Sequence, residues 1–170
     1  MMRVYIPATL VMLQQLVSDG SVWPVNGTAF AVTPTLREAY AEGDDDELAE
    51  VALREAALAS LRLLAAADDE AGEANPPRRR AVLAAEVEEA KYRPDLDDAV
   101  VRVGAPVALE HVIAAYVDNA AAEPAVTKAI EVIDAADLGD EDAELTVGDA
   151  LDHDLAWYAN QELPFLLELL

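Results

Sequence analysis

Stretches rich in β-branched residues alternate along this chain with helix-like stretches, and two of the β-rich stretches follow each other directly. They span residues 81–87 and 99–103, with no helical pattern between them. Strands joined without a crossover helix favour antiparallel pairing. The pattern therefore predicts an α+β fold, a two-layer sandwich with helices mainly on one face of a mixed or antiparallel sheet. A ferredoxin-like arrangement is the leading expectation, and a doubly wound parallel sheet is the alternative.

The helical signals are strongest in two long segments. Residues 44–67 begin with three aspartates, which favour the positive end of a helix dipole, and continue with apolar residues at helical spacing. Residues 122–134 place an apolar stripe on one face, with Pro124 in the first turn, where a missing N–H is tolerated. Near the start of the chain, residues 3–8 form a predicted strand that Pro7 should end, just before a first helix.

Weaker local signals complete the predicted elements. A short helix after the second β-rich stretch is expected to end at Gly43. The segment 111–119 is predicted to be a central strand, residues 144–147 a short strand, and residues 155–159 the last strand. Asn160 is the predicted N-cap of a terminal helix.

Length and composition indicate one domain, residues 1–170, with a flexible acidic loop at 68–77 that lacks large apolar side chains. The chain has no cysteine, which excludes disulfides, a thiolate nucleophile and a cysteine-ligated zinc site and suits a cytoplasmic protein. Its N-terminal stretch does not have the pattern of a secretory signal and is interpreted as part of the fold. No run of about 18 apolar residues predicts a membrane span.

The formal net charge of −23 argues against nucleic-acid binding, because that binding depends on clustered Lys and Arg. Arginines outnumber lysines nine to two, and Ala, Asp, Glu, Arg and Val dominate, as expected from a GC-rich coding sequence. The acidity is therefore interpreted as a solvated surface. A DNA mimic or a binder of basic partners is the alternative.

Metal binding has one weak candidate set, Asp152, His153 and Asp154. Carboxylates flanking a histidine suit a divalent cation, but neighbours two residues apart converge on one ion only in particular turns. A calcium loop beginning at Asp140 fails, because Leu145 and Leu151 stand where glycine and a bidentate glutamate are required. A polar loop is the favoured interpretation, and no metal or cofactor is predicted.

Catalytic candidates are equally weak. His111, Asp118 and Glu162 could supply a general acid and base if the fold brought them together, although their spacing does not require it. The plainer role for Asp118 is a helix cap. The chain contains none of the motifs GxSxG, GxxxxGK[ST] or GxGxxG. The basic cluster 78–80 could hold an anion, but neutralising neighbouring acids is the simpler interpretation.

The C-terminal segment "HDLAWYANQELPFLLELL", residues 153–170, is unusually apolar for this chain. It is too short to span a bilayer, and its acidic flanks would be repelled by an anionic lipid surface. We expect it to close the core, with Trp157 largely buried and some apolar surface left for a second subunit. The predicted interface residues are Trp157, Tyr158, Phe165, Leu166 and Leu169.

Three segments together, "RVYIPATL", "VDNAAAEPAV" and "LAWYANQEL", resemble a family of small acidic actinobacterial proteins of unknown function. The resemblance implies a cytoplasmic protein from a GC-rich bacterium and carries over no catalytic residues. The favoured function is therefore noncatalytic, acting through self-association as a homo-oligomer or through a protein partner. The alternative is an enzyme or small-ligand binder that uses strand-end carboxylates and a histidine.

Overall fold

The computed structural model describes residues 1–40, 42–71 and 77–170, of which 68–71 are described by backbone alone. The strands are β1 (Met2–Ala8), β2 (Ser21–Val22), β3 (Thr28–Phe30), β4 (Ala81–Val87), β5 (Ala90–Tyr92), β6 (Val100–Val103), β7 (Val107–Ala108), β8 (Val112–Val117) and β9 (Ala156–Ala159). The helices are α1 (Leu10–Asp19), α2 (Pro34–Ala39), α3 (Asp45–Ala71), α4 (Glu123–Asp137), α5 (Glu141–Leu151) and α6 (Leu163–Glu168).

Seven strands form one open sheet in the order β5-β6-β3-β1-β4-β8-β9, and all neighbours are antiparallel. β2 and β7 form a separate antiparallel pair. The predicted α+β class and antiparallel sheet are confirmed. The ferredoxin-like order is not observed, because that fold needs two split β-α-β units. One such unit is present, because β1 lies between β3 and β4. A second is not, because α4 and α5 return the chain beside β8 and so place β9 directly next to it.

Helices cover both faces of the sheet, which corrects the two-layer expectation. Along β1, Val4 and Ile6 pack in the cluster that contains α1 and α6, and Tyr5 packs in the cluster that contains α2 and α3. The central strands are nearly continuous apolar runs, a pattern typical of strands buried on both faces. α4 and α5 pack beside α3 in a third cluster.

Helix α3 contacts both the sheet and the helices α4 and α5. Leu48, Ala52 and Ala56 face the sheet, whereas Leu61 and Leu64 pack against α4 and α5. The buried Ser60 hydroxyl donates a hydrogen bond to the Ala8 carbonyl (2.7 Å), and its oxygen accepts one from the Ala81 N–H (3.1 Å). One small polar side chain thus ties α3 to the end of β1 and the start of β4.

The first helix follows β1 as predicted, whereas the predicted end of the strand at Pro7 is wrong. Thr9 caps α1, and Gly20 ends it with a φ of 81°. Pro7 lies inside β1, opposite Val82, and does not end the strand. β3 pairs with β1 only at Tyr5, so at Pro7 β1 has a partner strand on one side alone. A proline is tolerated there because its missing N–H is not needed for pairing on the other side.

Two further predictions are corrected. α2 ends at Ala39 instead of Gly43. The predicted strand at 144–147 lies inside α5, because the Asp140 carboxylate accepts a hydrogen bond from the Ala143 N–H and the helix buries Ala143, Val147 and Ala150. A four-residue β-rich run is too short to override that cap and its amphipathic face.

The predicted loop at 68–77 is only partly described. Helix α3 continues to Ala71, and residues 72–76 lie outside the described residues. Mobility of this segment stays a prediction. Across the described ranges, no helix combines the length and apolar character that crossing a membrane requires.

Candidate functional site

A buried ion pair joins the start of β4 to the end of β8. The Asp118 side chain has no exposed surface, and that of Arg80 is 2% exposed. Asp118 Oδ2 accepts hydrogen bonds from the backbone N–H (2.8 Å) and Nε (2.8 Å) of Arg80, and Oδ1 accepts one from Nη2 (2.7 Å). This bidentate geometry gives a strong, oriented pair. Asp118 therefore positions two strands instead of acting as the predicted helix cap.

The same arginine also holds the segment that leads into β9. Arg80 Nη2 donates a hydrogen bond to the His153 carbonyl (2.7 Å). Leu155 and β9 follow directly along the chain. The position of the last strand is therefore connected to the buried pair through one backbone contact.

A groove of about 380 Å³ opens above this pair, between α3 and the segment leading into β9. Its polar lining includes Arg54, Arg80, Tyr116, His153 and Asp154. Tyr116 also lies close to Tyr5, whose hydroxyl has a pKa raised first by burial and then by Tyr116. Charged, aromatic and apolar side chains therefore line one groove.

Two of the three predicted metal candidates, His153 and Asp154, line this groove, and Asp152 precedes them in the chain. Asp152 and Asp154 are exposed, and His153 is half-buried. Within the described ranges, no group of three or more His, Cys, Asp or Glu side chains is arranged to hold a metal ion.

The predicted catalytic candidates are divided between two ends of the sheet. Asp118 follows the end of β8, whereas His111 precedes its start. The six residues of β8 separate these two positions by about 20 Å at the rise of an extended strand. His111 is exposed, with its Nε2 4.0 Å from Glu110 Oε1, and it lines a separate cavity of about 220 Å³. The three residues do not form one site.

Glu162 lies at the same end of the sheet as His111. Ala159 at the end of β9 pairs with Ala114 near the start of β8, and Glu162 is exposed in the turn that follows. In this turn the Asn160 Nδ2 donates a hydrogen bond to the Val112 carbonyl (2.9 Å). Asn160 thus ties the turn to β8 instead of capping α6, whose N-cap position is Glu162.

The predicted interface residues divide into a buried and an exposed group. Leu166 is buried and Tyr158 half-buried, and both pack toward α1. Trp157, Phe165 and Leu169 are 57%, 68% and 85% exposed. The prediction that Trp157 is largely buried is wrong, because β9 is the outermost strand and Trp157 lies opposite Tyr116, whose own side chain is only half-buried.

The chain belongs to a family described as "Family of unknown function (DUF6912)", whose model matches residues 2–167. The expectation of a family of unknown function is confirmed at that level. No curated protein and no solved structure matches the chain.

Proposed function

We propose that this protein is noncatalytic and acts through self-association, with β9 of one copy pairing antiparallel with β9 of a second copy. The supporting observation is the open edge of the sheet at β9. This strand is last in the strand order, reads Ala-Trp-Tyr-Ala, and presents a tryptophan that is 57% exposed.

The side chains of β9 lack the features that keep sheet edges apart. Monomeric proteins protect an edge strand with lysine, proline, a bulge or an inward-pointing charge. β9 has no charged residue and no proline, and it pairs with β8 without a register shift. Its free N–H and C=O groups therefore suit an extended partner strand.

A second copy of the same chain is the partner that this edge fits best. A two-fold axis perpendicular to the sheet makes neighbouring edges antiparallel and keeps the same face of both sheets on the same side. Either Trp157 or Tyr158 then lies opposite its own equivalent in the second copy. Aromatic cross-strand pairs of this kind stabilise a sheet.

The acidity of the chain distinguishes this proposal from binding to a basic partner. Two copies with a formal net charge of −23 repel each other, and salt screens that repulsion. Self-association should therefore strengthen as salt concentration rises. Binding to a basic protein would weaken instead.

Sedimentation equilibrium of the full chain tests the proposal, with Trp157→Lys as the test variant. A lysine on the edge strand should shift the protein to monomer, because a charged side chain on an edge strand disfavours pairing with a second edge. Trp23→Lys is the matched control, since Trp23 is 56% exposed and lies outside the seven-stranded sheet. The control should associate as the wild type does.

Two results would contradict self-association through β9. One is a wild-type protein that stays monomeric at high protein and high salt concentration. The other is an equal loss of association in Trp157→Lys and Trp23→Lys.

The proposal includes the setting in which the protein works. We place it in the cytoplasm of a GC-rich actinobacterium, without nucleic-acid or membrane partners. The absence of cysteine and the nine arginines against two lysines support the setting, and the net charge of −23 opposes anionic partners of both kinds.

A further inference from the structure

We infer that the groove between α3 and the segment leading into β9 binds a small organic oxyanion, a carboxylate or a phosphate ester with an apolar body. The groove adjoins β9, but its lining residues lie outside that strand, whereas the proposed pairing uses the outer backbone edge of β9. The oxyanion end of the ligand would lie at Arg80 and Arg54, and the apolar body of the ligand would lie against the leucines of the groove.

Arg80 supplies the observation on which the inference rests. The side chain is 2% exposed, and its Nε and Nη2 donate to Asp118 and to the His153 carbonyl. Nη1 donates to no acceptor among the described residues, although Arg80 lines the groove. The buried unpaired side-chain atoms of the described residues are Arg79 Nε and Arg102 Nε, so Arg80 Nη1 is open to the groove, where its N–H groups can donate to a ligand oxygen.

Two further donors line the same groove. Arg54 is exposed on α3 and forms no hydrogen bond or ion pair with any described residue. The Tyr116 hydroxyl likewise makes no hydrogen bond within the described part of the chain. An oxyanion between these groups would receive charge-assisted hydrogen bonds, which are about twice as strong as neutral ones.

The apolar lining and the carboxylates limit the ligand class. Leu53, Leu151 and Leu155 offer a surface for a ring or short alkyl group, and a volume of about 380 Å³ suits a small molecule. Glu50 and Asp154 also line the groove, and Asp118 offsets the charge of Arg80. The net charge of the groove therefore does not attract an anion. A ligand must gain its affinity from hydrogen bonds to the directed donors together with apolar contact.

The test is a titration of the uniformly ¹⁵N-labelled full chain, followed by backbone chemical shifts. The probes are benzoate and phenyl phosphate. Inorganic phosphate, which lacks the apolar body, and benzyl alcohol, which lacks the charge, are the control compounds. We expect saturable shifts at residues 50–57, 116 and 151–155 with benzoate or phenyl phosphate, and much weaker shifts with either control compound. The tighter of the two probes identifies a carboxylate or a phosphate ester as the preferred head.

Arg54→Gln is the diagnostic variant, because replacing Arg80 would break the buried pair. Loss of one charged donor should weaken binding about tenfold. Arg93→Gln is the control, since Arg93 follows β5, at the opposite edge of the sheet from β9, and pairs with Asp95. It should bind as the wild type does, and both variants should keep the wild-type sedimentation behaviour.

Three outcomes would overturn the inference. The first is no saturable shift with benzoate or phenyl phosphate in the millimolar range. The second is equal affinity for inorganic phosphate and phenyl phosphate, and the third is unchanged binding in Arg54→Gln. None of them bears on association through β9, which is measured by mass.

Discussion

The two edges of the seven-stranded sheet differ in the side chains that they present. β5 carries Lys91, is followed by Pro94, and adjoins an ion pair between Arg93 and Asp95 (Nη2–Oδ2 2.8 Å). β9 has neither charge nor proline. Both strands are short and pair antiparallel with one neighbour, so backbone geometry does not distinguish them. Of the two edge strands, only β5 also has a charged side chain and a nearby proline, which discourage edge-to-edge pairing.

The edges also differ in how they are held. The segment before β9 is connected to a buried, bidentate ion pair, whereas the loop after β5 is held by an exposed one. Exposed ion pairs contribute little to stability, and breaking a buried pair is strongly destabilising. The edge strand without a charged side chain is thus the one that is connected to a buried ion pair.

The largest effect is expected from breaking the buried anchor of β9. Asp118→Ala should lower the free energy of unfolding by about 3–5 kcal/mol, because it leaves the buried Arg80 charge unpaired. Urea unfolding measures the change. Asp95→Ala at the β5 edge is the matched control and should cause a much smaller loss, since Asp95 is largely exposed. Equal losses would show that the two edges are anchored alike.

A smaller effect is expected in the C-terminal helix beside the β9 edge. Leu166→Ala should lower the free energy of unfolding by about 2–5 kcal/mol, because Leu166 is buried against the sheet and α1. Leu169→Ala removes the same side chain from a position that is 85% exposed and should change stability little. Thermal and urea unfolding of both variants provide the comparison.

A large loss in Leu169→Ala would place that residue at an interface in solution. Measuring both variants at several protein concentrations separates this outcome from a loss of core packing. Stability that depends on concentration indicates assembly, whereas a constant deficit indicates packing within one chain.

The smallest effect is expected at Glu55, a half-buried residue of α3. Partial burial, and secondarily Asp97 in the loop after β5, raise the pKa of Glu55 above its usual value of 4.5. The folded state therefore holds this proton more tightly than the unfolded state. The contribution to stability is complete below the unfolded pKa and is lost as pH rises through the folded pKa.

Glu55→Gln should accordingly gain stability relative to the wild type as pH rises from about 4 to 7, by about 0.5 kcal/mol or less because Glu55 is only half-buried. Urea unfolding at several pH values measures the difference. Glu131→Gln, at an exposed position on α4, is the control. A difference that shrinks toward neutral pH would contradict the raised pKa.

The candidate site was only partly accessible to sequence analysis. The cluster 78–80 was expected to neutralise neighbouring acids, and Arg79 and Arg80 do pair with Glu123 and Asp118; that the second of these pairs is buried was not expected. A signal for this pair existed. Arg80 precedes β4 and Asp118 follows β8, so antiparallel pairing of these strands, with Ala81 opposite Val117, places the two side chains together.

The open edge could not be located from sequence, although the composition of β9 was visible in it. Burial of Trp157 was expected because aromatic side chains usually lie in cores. Whether a strand is outermost depends on the order of strands in the sheet, and here α4 and α5 place β9 beside β8 with nothing beyond it in the strand order. Strand order is a property of long-range pairing, so no local pattern could assign the exposed face.

Local interactions within the sequence by themselves determined α3, α4 and the strands β4, β6 and β8. Periodicity, caps and β-branched runs act between residues a few positions apart, and they agree with the fold at these elements. Tertiary structure decided the rest: the placement of helices on both faces of the sheet, the outermost position of β9, and the pairing of Arg80 with Asp118. Each of these depends on which distant surface is available to bury an apolar face or a charge, and that free energy arises only when the whole chain folds.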